Sequence, residues 1–337
     1  MSGRLAIMLA LCAFMLTAQL KKILVMGASP EIVKDLQSAA GSGGTVVPVT
    51  NQTIAKEIAD ADALIGTITP EWVRAGKKLK WVQIRSAGSE GVLHLSSSTD
   101  LRDSQIVLTN NQIVQGPEIA DHAMAMLLSL TRKLPHYAAN KQKEFWERGG
   151  FDGIELQTKN AVIIGVGGIG MQIAQRAWAH GMNVVGVDPE DIPYSPFIKN
   201  VVKPDRLDEV IPTADVVFVS APHTPESHKM VGPKQFDMMK KNSYFIAVSR
   251  GGLYDLDALV KALDSKRLAG AGVDVTDPEP LPAGHPLWKF PNAIITPHIA
   301  GRSDLDAGRM NATIRENVKR FVEGKPLINV VDKRKGY

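Results

Sequence analysis

Three short segments late in the chain carry side chains suited to anion binding and proton transfer. Arg250 stands in Ser249-Arg250-Gly251-Gly252, and its planar guanidinium can hold a carboxylate through two parallel hydrogen bonds. Gly272-Val273-Asp274-Val275-Thr276-Asp277-Pro278-Glu279-Pro280 places acids among prolines. His298, in Thr296-Pro297-His298-Ile299-Ala300-Gly301, is the side-chain type that exchanges protons near neutral pH. Singly, each is more often something plainer: a surface charge, a solvated acidic loop, a structural histidine. A reacting site needs several such groups together, and here all three follow segments that read as strands.

What these groups would act beside is indicated further upstream. The apolar run Asn160-Ala161-Val162-Ile163-Ile164 leads into Gly165-Val166-Gly167-Gly168-Ile169-Gly170, a G-x-G-x-x-G turn. A helix-periodic stretch follows over 171–178, then a second strand over 183–187 that ends on Asp188. A glycine-rich turn alone is weak evidence, but strand, turn, helix and strand in this order make a dinucleotide-binding βαβ unit. Gly165 permits the tight turn, Gly167 lets the backbone approach a pyrophosphate, and Gly170 lets helix and strand pack closely. The N–H groups at the helix start, around Gly168 and Ile169, face the phosphates. Asp188 comes 18 residues after Gly170, near the spacing of about 20 expected of an acid that accepts from ribose hydroxyls. A carboxylate there repels a 2′-phosphate, and Pro189 stands where an arginine could have neutralised it, so the pattern implies NAD over NADP.

The elements that must position these residues are legible as alternation. Strand-like and helix-like stretches alternate from residue 22 through the dinucleotide unit to about 296, interrupted by a longer helical region that starts at Gly116-Pro117. Ile119, Ala123, Met126, Leu127 and Leu130 recur there at helical spacing, and Pro135 breaks the pattern before a second stretch reaching Trp146. A last helix is expected from Ser303, a plausible N-cap, to about Glu323, packed back on the first domain. The fold class is therefore α/β with two doubly wound parallel sheets. A central Rossmann domain, 116–299, is expected to be inserted into a flavodoxin-like domain of 21–115 and 300–337. Hinges fall near 113–118 and 297–302, and the cleft between the domains is the default ligand site.

Bulk properties narrow the classes. The chain has 337 residues, enough for two cores, with 44% hydrophobic and 22% charged residues. The net charge of +4 is scattered apart from Lys333-Arg334-Lys335, and no basic run with interleaved aromatics supports nucleic-acid binding. Cys12 is the only cysteine, so a disulfide within the chain or a cysteine-based metal site is excluded. Arg4 followed by an uncharged apolar run over 5–18 has the proportions of a secretory signal and is too short for a comfortable membrane span. Residues 1–20, signal-like or an appended apolar segment, are set apart from the fold on that ground. A free nicotinamide enzyme favours the cytoplasm, while the signal-like segment leaves a periplasmic or secreted location open.

With these motifs in hand, the chain resembles the D-isomer-specific 2-hydroxyacid dehydrogenases, glyoxylate and hydroxypyruvate reductases included, over roughly residues 22–330. The resemblance rests on the glycine motif, the S-R-G-G segment, the G-V-D-V to P-E-P segment and T-P-H-I-A-G, in the family's order and spacing. It implies that Arg250 binds the substrate carboxylate and polarises the carbonyl, that Glu279 pairs with His298, and that His298 is the acid–base. It further implies that Asp274 lies near the nicotinamide carboxamide and that Pro222-His223-Thr224-Pro225-Glu226 covers the adenosine and pyrophosphate side, with Ser249 also at the cofactor. In Arg85-Ser86-Ala87-Gly88-Ser89-Glu90-Gly91, backbone N–H groups at Ala87 and Gly88 would cradle the substrate carboxylate. The family often has Asp where Glu90 stands. Asn110-Asn111-Gln112 and the Glu118–His122 pair match hinge positions, although four-residue spacing on a helix also fits a surface pair. A homodimer through the helices of 117–146 is implied as well.

The expected function is interconversion of a small 2-keto acid and its D-2-hydroxy acid by hydride transfer with NAD, with no metal. Selectivity would rest on a few pocket residues, with Thr67, Ile68 and Trp288 as candidates. Formate enzymes of this fold carry Gln in place of the paired Glu, so Glu279 argues against formate. A phosphite-type dehydrogenase and an NAD-sensing corepressor-like protein remain compatible with the same motifs.

Overall fold

A computed structural model describes residues 20–149 and 153–337. The signal-like segment and Cys12 lie outside the described residues. The chain divides into two compact units: one holds the residues through Asn111 together with Gly308–Arg334, the other Gln112–Ala307 together with Lys335–Tyr337.

The first unit is built on β1 (Lys21–Met26), β2 (Gly44–Val49), β3 (Ala63–Ile65), β4 (Trp81–Gln83) and β5 (Val107–Thr109). All pairs are parallel and the order is β2-β1-β3-β4-β5, the flavodoxin-like arrangement. Successive side chains point to opposite faces of a strand, and the two cores of the unit sort accordingly. Leu24, Leu64 and Val82 join one, while Ile23, Val25, Ala63, Ile65 and Trp81 join the other. Both faces of such a sheet must be covered, which is why its strands read as continuous apolar runs. The helix Asp306–Val322 covers the second face with Ile314 and Val318, and Phe321 meets Trp81 at 5.0 Å between ring centroids. This helix starts three residues later than expected. The Ser303 hydroxyl accepts from the N–H groups of Leu305 and Asp306 and so closes a turn ahead of the helix.

The second unit is built on β6 (Asn160–Ile164), β7 (Asn183–Val187), β8 (Asn200–Val202), β9 (Val216–Val219), β10 (Ser243–Ala247), β11 (Leu268–Val273) and β12 (Ala293–Ile295). The sheet is parallel throughout, in the order β12-β11-β10-β9-β6-β7-β8. Its first three strands run outward one way and its last four the other way, so the order reverses at β6 and β9, the switch point where such sheets bind ligands. Alternation again separates the faces, with Val162, Ile164, Val217 and Val219 in one core and Ala161, Ile163, Val216 and Phe218 in the other. Ile119, Ala123 and Leu127 of the helix Gly116–Thr131 and Ile173, Ala174 and Ala177 of the helix Gly168–Ala179 close the latter face. No helix among the described residues is long and apolar enough to cross a membrane.

A buried polar chain ties the terminal helix to the first sheet. Trp81 Nε1 donates to Thr109 Oγ1 (2.7 Å), Thr109 Oγ1 donates to Gln83 Oε1 (2.8 Å), and Asn317 Nδ2 donates to the same oxygen (2.9 Å). Asn317 also closes the chain beyond the helix, accepting from Ile328 N (2.8 Å) and donating to Ile328 O (3.0 Å). Asn317 is wholly buried, so Asn317→Leu is expected to strand the Ile328 peptide groups and lower stability by about 2–3 kcal/mol. A shift of the urea midpoint checks this, and an unchanged midpoint would show that the bonds add nothing.

Candidate active site

The glycine turn is shaped by contacts no other residue could accept. Gly165 follows β6 at φ +88°, and a Cβ there would lie 2.4 Å from Ala221 Cα and N. A Cβ on Gly170 would lie 1.9 Å from the Gly165 carbonyl oxygen. Those two glycines hold strand, turn and helix together. Gly167 differs: its φ of −74° and ψ of −158° suit any residue, and nothing lies within 4 Å of its would-be Cβ. The open space thus sits at the residue that caps the helix Gly168–Ala179, where unpaired N–H groups and the positive dipole end are directed outward. Asp188, one residue past β7, is 8% exposed. Its Oδ2 accepts from Val166 N inside the glycine turn (2.7 Å) and its Oδ1 from Glu190 N (2.9 Å). A dinucleotide fits this arrangement: a bare helix start for the pyrophosphate and a carboxylate fixed beside the turn for the ribose. A cavity of about 280 Å³ adjoins Asp188, lined also by Glu190, Tyr194, Ser195, Lys199 and Lys203.

Three loops follow neighbouring strands β10, β11 and β12 at the same edge of the sheet. A staircase of backbone bonds sets their heights: Val248 N to Val219 O (3.1 Å), Asp274 N to Ala247 O (2.9 Å) and Thr296 N to Val273 O (3.0 Å). Gly251 carries the tightest approach between them, since a Cβ there would fall 2.0 Å from the Thr276 carbonyl carbon. The Arg250 loop is thereby pressed against the loop that carries Glu279. Arg250 Nη1 donates to Ser249 O (2.7 Å). Glu279 spans the next gap: Oε1 accepts from Thr276 N (3.0 Å), and Oε2 lies 2.9 Å from His298 Nδ1. With the acid on Nδ1, Nε2 is the ring nitrogen left to meet a ligand. Both side chains are about two-fifths exposed.

His298 adopts φ +53°, the left-handed region that non-glycine residues rarely enter. Asp274, 2% exposed, holds it there. The Asp274 carbonyl accepts from His298 N (2.8 Å), Oδ1 from Ile299 N (2.9 Å), and Oδ2 from Ala300 N (2.9 Å). Thr296 Oγ1 adds a bond to Oδ1 (2.6 Å). Both oxygens of Asp274 are thus engaged with the His298 turn, a role that spacing in the sequence does not disclose. His122 was open to a surface reading; its ring instead turns to Thr296 Oγ1, 2.9 Å from Nε2. His223 packs on the R-G-G segment, its ring 2.5 Å from where a Gly252 Cβ would stand, and it pairs with His228 at 3.1 Å.

In the first unit, the loop after β4 is held by its carbonyls. Asn111 Nδ2 donates to Arg85 O (2.8 Å), Asn111 N to Ser86 O (3.0 Å), Asn110 Nδ2 to Ala87 O (2.6 Å) and Ser86 Oγ to Gly88 O (2.7 Å). Four successive carbonyls are occupied, two of them by the side chains of fully buried asparagines. Such a run leaves the intervening amides at Ala87 and Gly88 as donors for an anion. The sequence shows the small residues of this loop and sets Asn110 and Asn111 at a hinge position, but not that these asparagines orient the loop.

Two further contacts lay beyond motif reading. Glu190 Oε1 accepts from Lys335 Nζ (2.6 Å) and Tyr337 OH (2.9 Å), which hold its carboxyl below the usual range and bring the last three residues onto the second unit. Lys203 Nζ donates to Asp191 Oδ1 (2.7 Å) and Pro189 O (2.9 Å). Two of the basic residues near Asp188, Lys203 and Lys335, therefore meet acids of their own.

Comparison with known proteins identifies the family of the chain. The family model for the D-isomer specific 2-hydroxyacid dehydrogenase NAD binding domain matches residues 124–300. A D-3-phosphoglycerate dehydrogenase of Methanocaldococcus jannaschii is 31% identical across 92% of this chain, which spans 59% of that protein. A glyoxylate reductase of Korarchaeum cryptofilum is 30% identical across 85% of this chain and 87% of its own length. A crystal structure of a D-isomer specific 2-hydroxyacid dehydrogenase family protein from Aeromonas salmonicida is 28% identical, with a TM-score of 0.76, covering 94% of this chain and 99% of its own. The chain spans about half the length of the phosphoglycerate dehydrogenase relatives it matches, from 40% to 59%.

The two kinds of glycine separate in one experiment. Gly170→Ala is expected to lower the unfolding temperature sharply, because a backbone oxygen occupies the space. Gly167→Ala is expected to leave that temperature unchanged while weakening dinucleotide binding in a fluorescence titration. Equal behaviour of the two variants would count against a cradle at Gly167.

Proposed function

The chain belongs to the D-isomer-specific 2-hydroxyacid dehydrogenase family, and from that premise we propose that it is an NAD(H)-dependent oxidoreductase interconverting a small 2-keto acid and its D-2-hydroxy acid. The observation that carries the reading is the 2.9 Å contact of His298 Nδ1 with Glu279 Oε2, in a loop one strand away from Arg250. The similarity to a glyoxylate reductase over nearly that protein's full length supports a small substrate.

Gly165, Gly167, Gly168, Ile169 and Gly170 would hold the pyrophosphate and Asp188 the ribose, with Pro222, Ser249 and Asp274 bordering the rest of the cofactor. Bound nicotinamide supplies or removes the hydride. His298 Nε2 gives its proton to the carbonyl oxygen as the alcohol forms and recovers it in the reverse direction. Glu279, fixed by Thr276 N, keeps the imidazole oriented through Nδ1. The Arg250 guanidinium binds the substrate carboxylate and offsets charge building on the reacting oxygen. The amides of Ala87 and Gly88, in the first unit, are proposed as donors to an anion. NAD is preferred over NADP because Asp188 repels a 2′-phosphate, while Lys203 and Lys335 are already engaged by Asp191 and Glu190. The exposed apolar side chains Leu134, Tyr137, Phe145 and Trp146 are proposed as the seat of a second copy of this chain, to be read from the mass of the species in solution.

The reaction is tested with a panel of 2-keto acids and NADH. His298→Gln is expected to lower kcat by about 10² to 10⁴, the range for losing a general acid, with NADH affinity unchanged. Parallel loss of both would argue for a structural role. In the same assay Asp188→Ala is expected to weaken NADH far more than NADPH, and an unaltered preference would remove Asp188 from the ribose site.

A further inference from the structure

His122 lies on the helix Gly116–Thr131, 176 positions before His298 (298 − 122), and the reaction as described makes no use of it. Its side chain is 23% exposed, and Nε2 lies 2.9 Å from Thr296 Oγ1 and 3.8 Å from Asp274 Oδ1. The polarity of this chain of bonds follows from the donors around Asp274. Ile299 N and Ala300 N each donate to one carboxylate oxygen, so Asp274 acts as acceptor on both. The Thr296 hydroxyl has a single hydrogen, and the 2.6 Å contact to Asp274 Oδ1 takes it. The Thr296 oxygen can then only accept from His122, so Nε2 of His122 carries the hydrogen. A directed path results, from His122 N–H to Thr296 O–H to the Asp274 carboxylate. That carboxylate receives the two amides immediately after His298.

We propose that His122 is a positioning residue for His298, acting through Thr296 and Asp274. The proposal rests on the reading of His298 as the proton donor. Removing the His122 donor takes away the bond that anchors the Thr296 oxygen and polarises its hydroxyl toward Asp274. The Thr296 side chain is then free to turn, its bond to the carboxylate weakens, and the turn that keeps His298 at φ +53° loses its outer brace. The imidazole then samples orientations in which its proton misses the carbonyl oxygen, and misplacement of about 1 Å can cost about a hundredfold in rate.

Two variants separate a bond from mere packing. His122→Gln can place an amide N–H near the position of Nε2, whereas His122→Leu fills the space without a donor. In steady-state reduction, kcat for the Leu variant is expected to fall between about tenfold and about a hundredfold, with KM and NADH affinity within about twofold, and the Gln variant to recover most of the loss. Introduced into a Thr296→Val background, the Leu change is expected to add little further loss, because both interrupt one path. A second readout needs neither substrate nor cofactor: the Cε1–H resonance of His298, assigned by its disappearance in His298→Asn. It is expected to shift and broaden in His122→Leu and to return in His122→Gln. Glutamine has no ring current, so that return reports the bond rather than the lost ring. An unmoved resonance in the Leu variant, or Leu and Gln variants that behave alike, overturns the proposal. A wild-type protein that reduces no 2-keto acid overturns the catalytic reading instead, and the resonance still decides the positioning.

Discussion

The parallel register of the seven-stranded sheet is the constraint on which the candidate site depends. Each strand in such a sheet ends at the same edge, and each loop beyond it leaves at a height fixed by the neighbouring ladder. The bonds Val248 N to Val219 O, Asp274 N to Ala247 O and Thr296 N to Val273 O carry that ladder one step past the strands. They bring the start of each functional loop under the control of the strand beside it. Side chains such as the part-buried Arg250 and the exposed Glu279 are long, and packing alone would leave them many rotamers. What they receive instead is a fixed backbone origin, sharpened where Gly251 and Thr276 meet with no room for a single added carbon.

The same edge carries the glycine turn, because β6 lies beside β9 in the sheet. Gly165 N extends the ladder to Val187 O (2.8 Å), and Ser220 N extends it to Ile164 O (2.8 Å). Cofactor cradle and proton-transfer loops are therefore successive outlets of one register rather than separate constructions. A one-residue slip would turn every strand side chain to the opposite face. The clean sorting of Val162 and Ile164 from Ala161 and Ile163 into different cores opposes such a slip with the burial of the entire sheet. Rigidity of the site is thus inherited from the core, which explains how loops with half-exposed functional groups can be specific in geometry.

Legibility in the sequence followed range. The glycine turn, Asp188, Arg250, Glu279 and His298 stand in local patterns whose chemistry is tied to spacing, and the strands leading to them read as apolar runs. Other features were invisible for physical reasons. Ser303 carries the right side chain for a cap, yet the helix begins at Asp306, because a hydroxyl can close a turn as readily as a helix. The pairing of Lys335 and Tyr337 with Glu190 joins positions roughly 145 apart, and the tie of Asn317 to Gln83 spans 234. Buried polar side chains choose their partners after the backbone has folded, and nothing in their spacing names the partner.

The left-handed conformations at Ile113 and His298 sharpen the last point. For a β-branched or bulky residue such a conformation costs on the order of 1–3 kcal/mol, so each requires surroundings that impose it. Ile113 has Gly168 beneath it: a Cβ there would fall 2.7 Å from the Ile113 Cα, so the bare glycine makes the approach possible. His298 is imposed by Asp274, whose carboxylate takes three donors and whose carbonyl takes the His298 amide. Hydrogen bonds to a charged group contribute about 1.5–3 kcal/mol each, enough together to outweigh the strain. Burying the carboxylate is itself costly, however, so the network as a whole returns little net stability. Its effect is geometric. It spends a buried charge on the direction of one imidazole, and a chain selected for stability alone would have placed an apolar side chain where Asp274 stands.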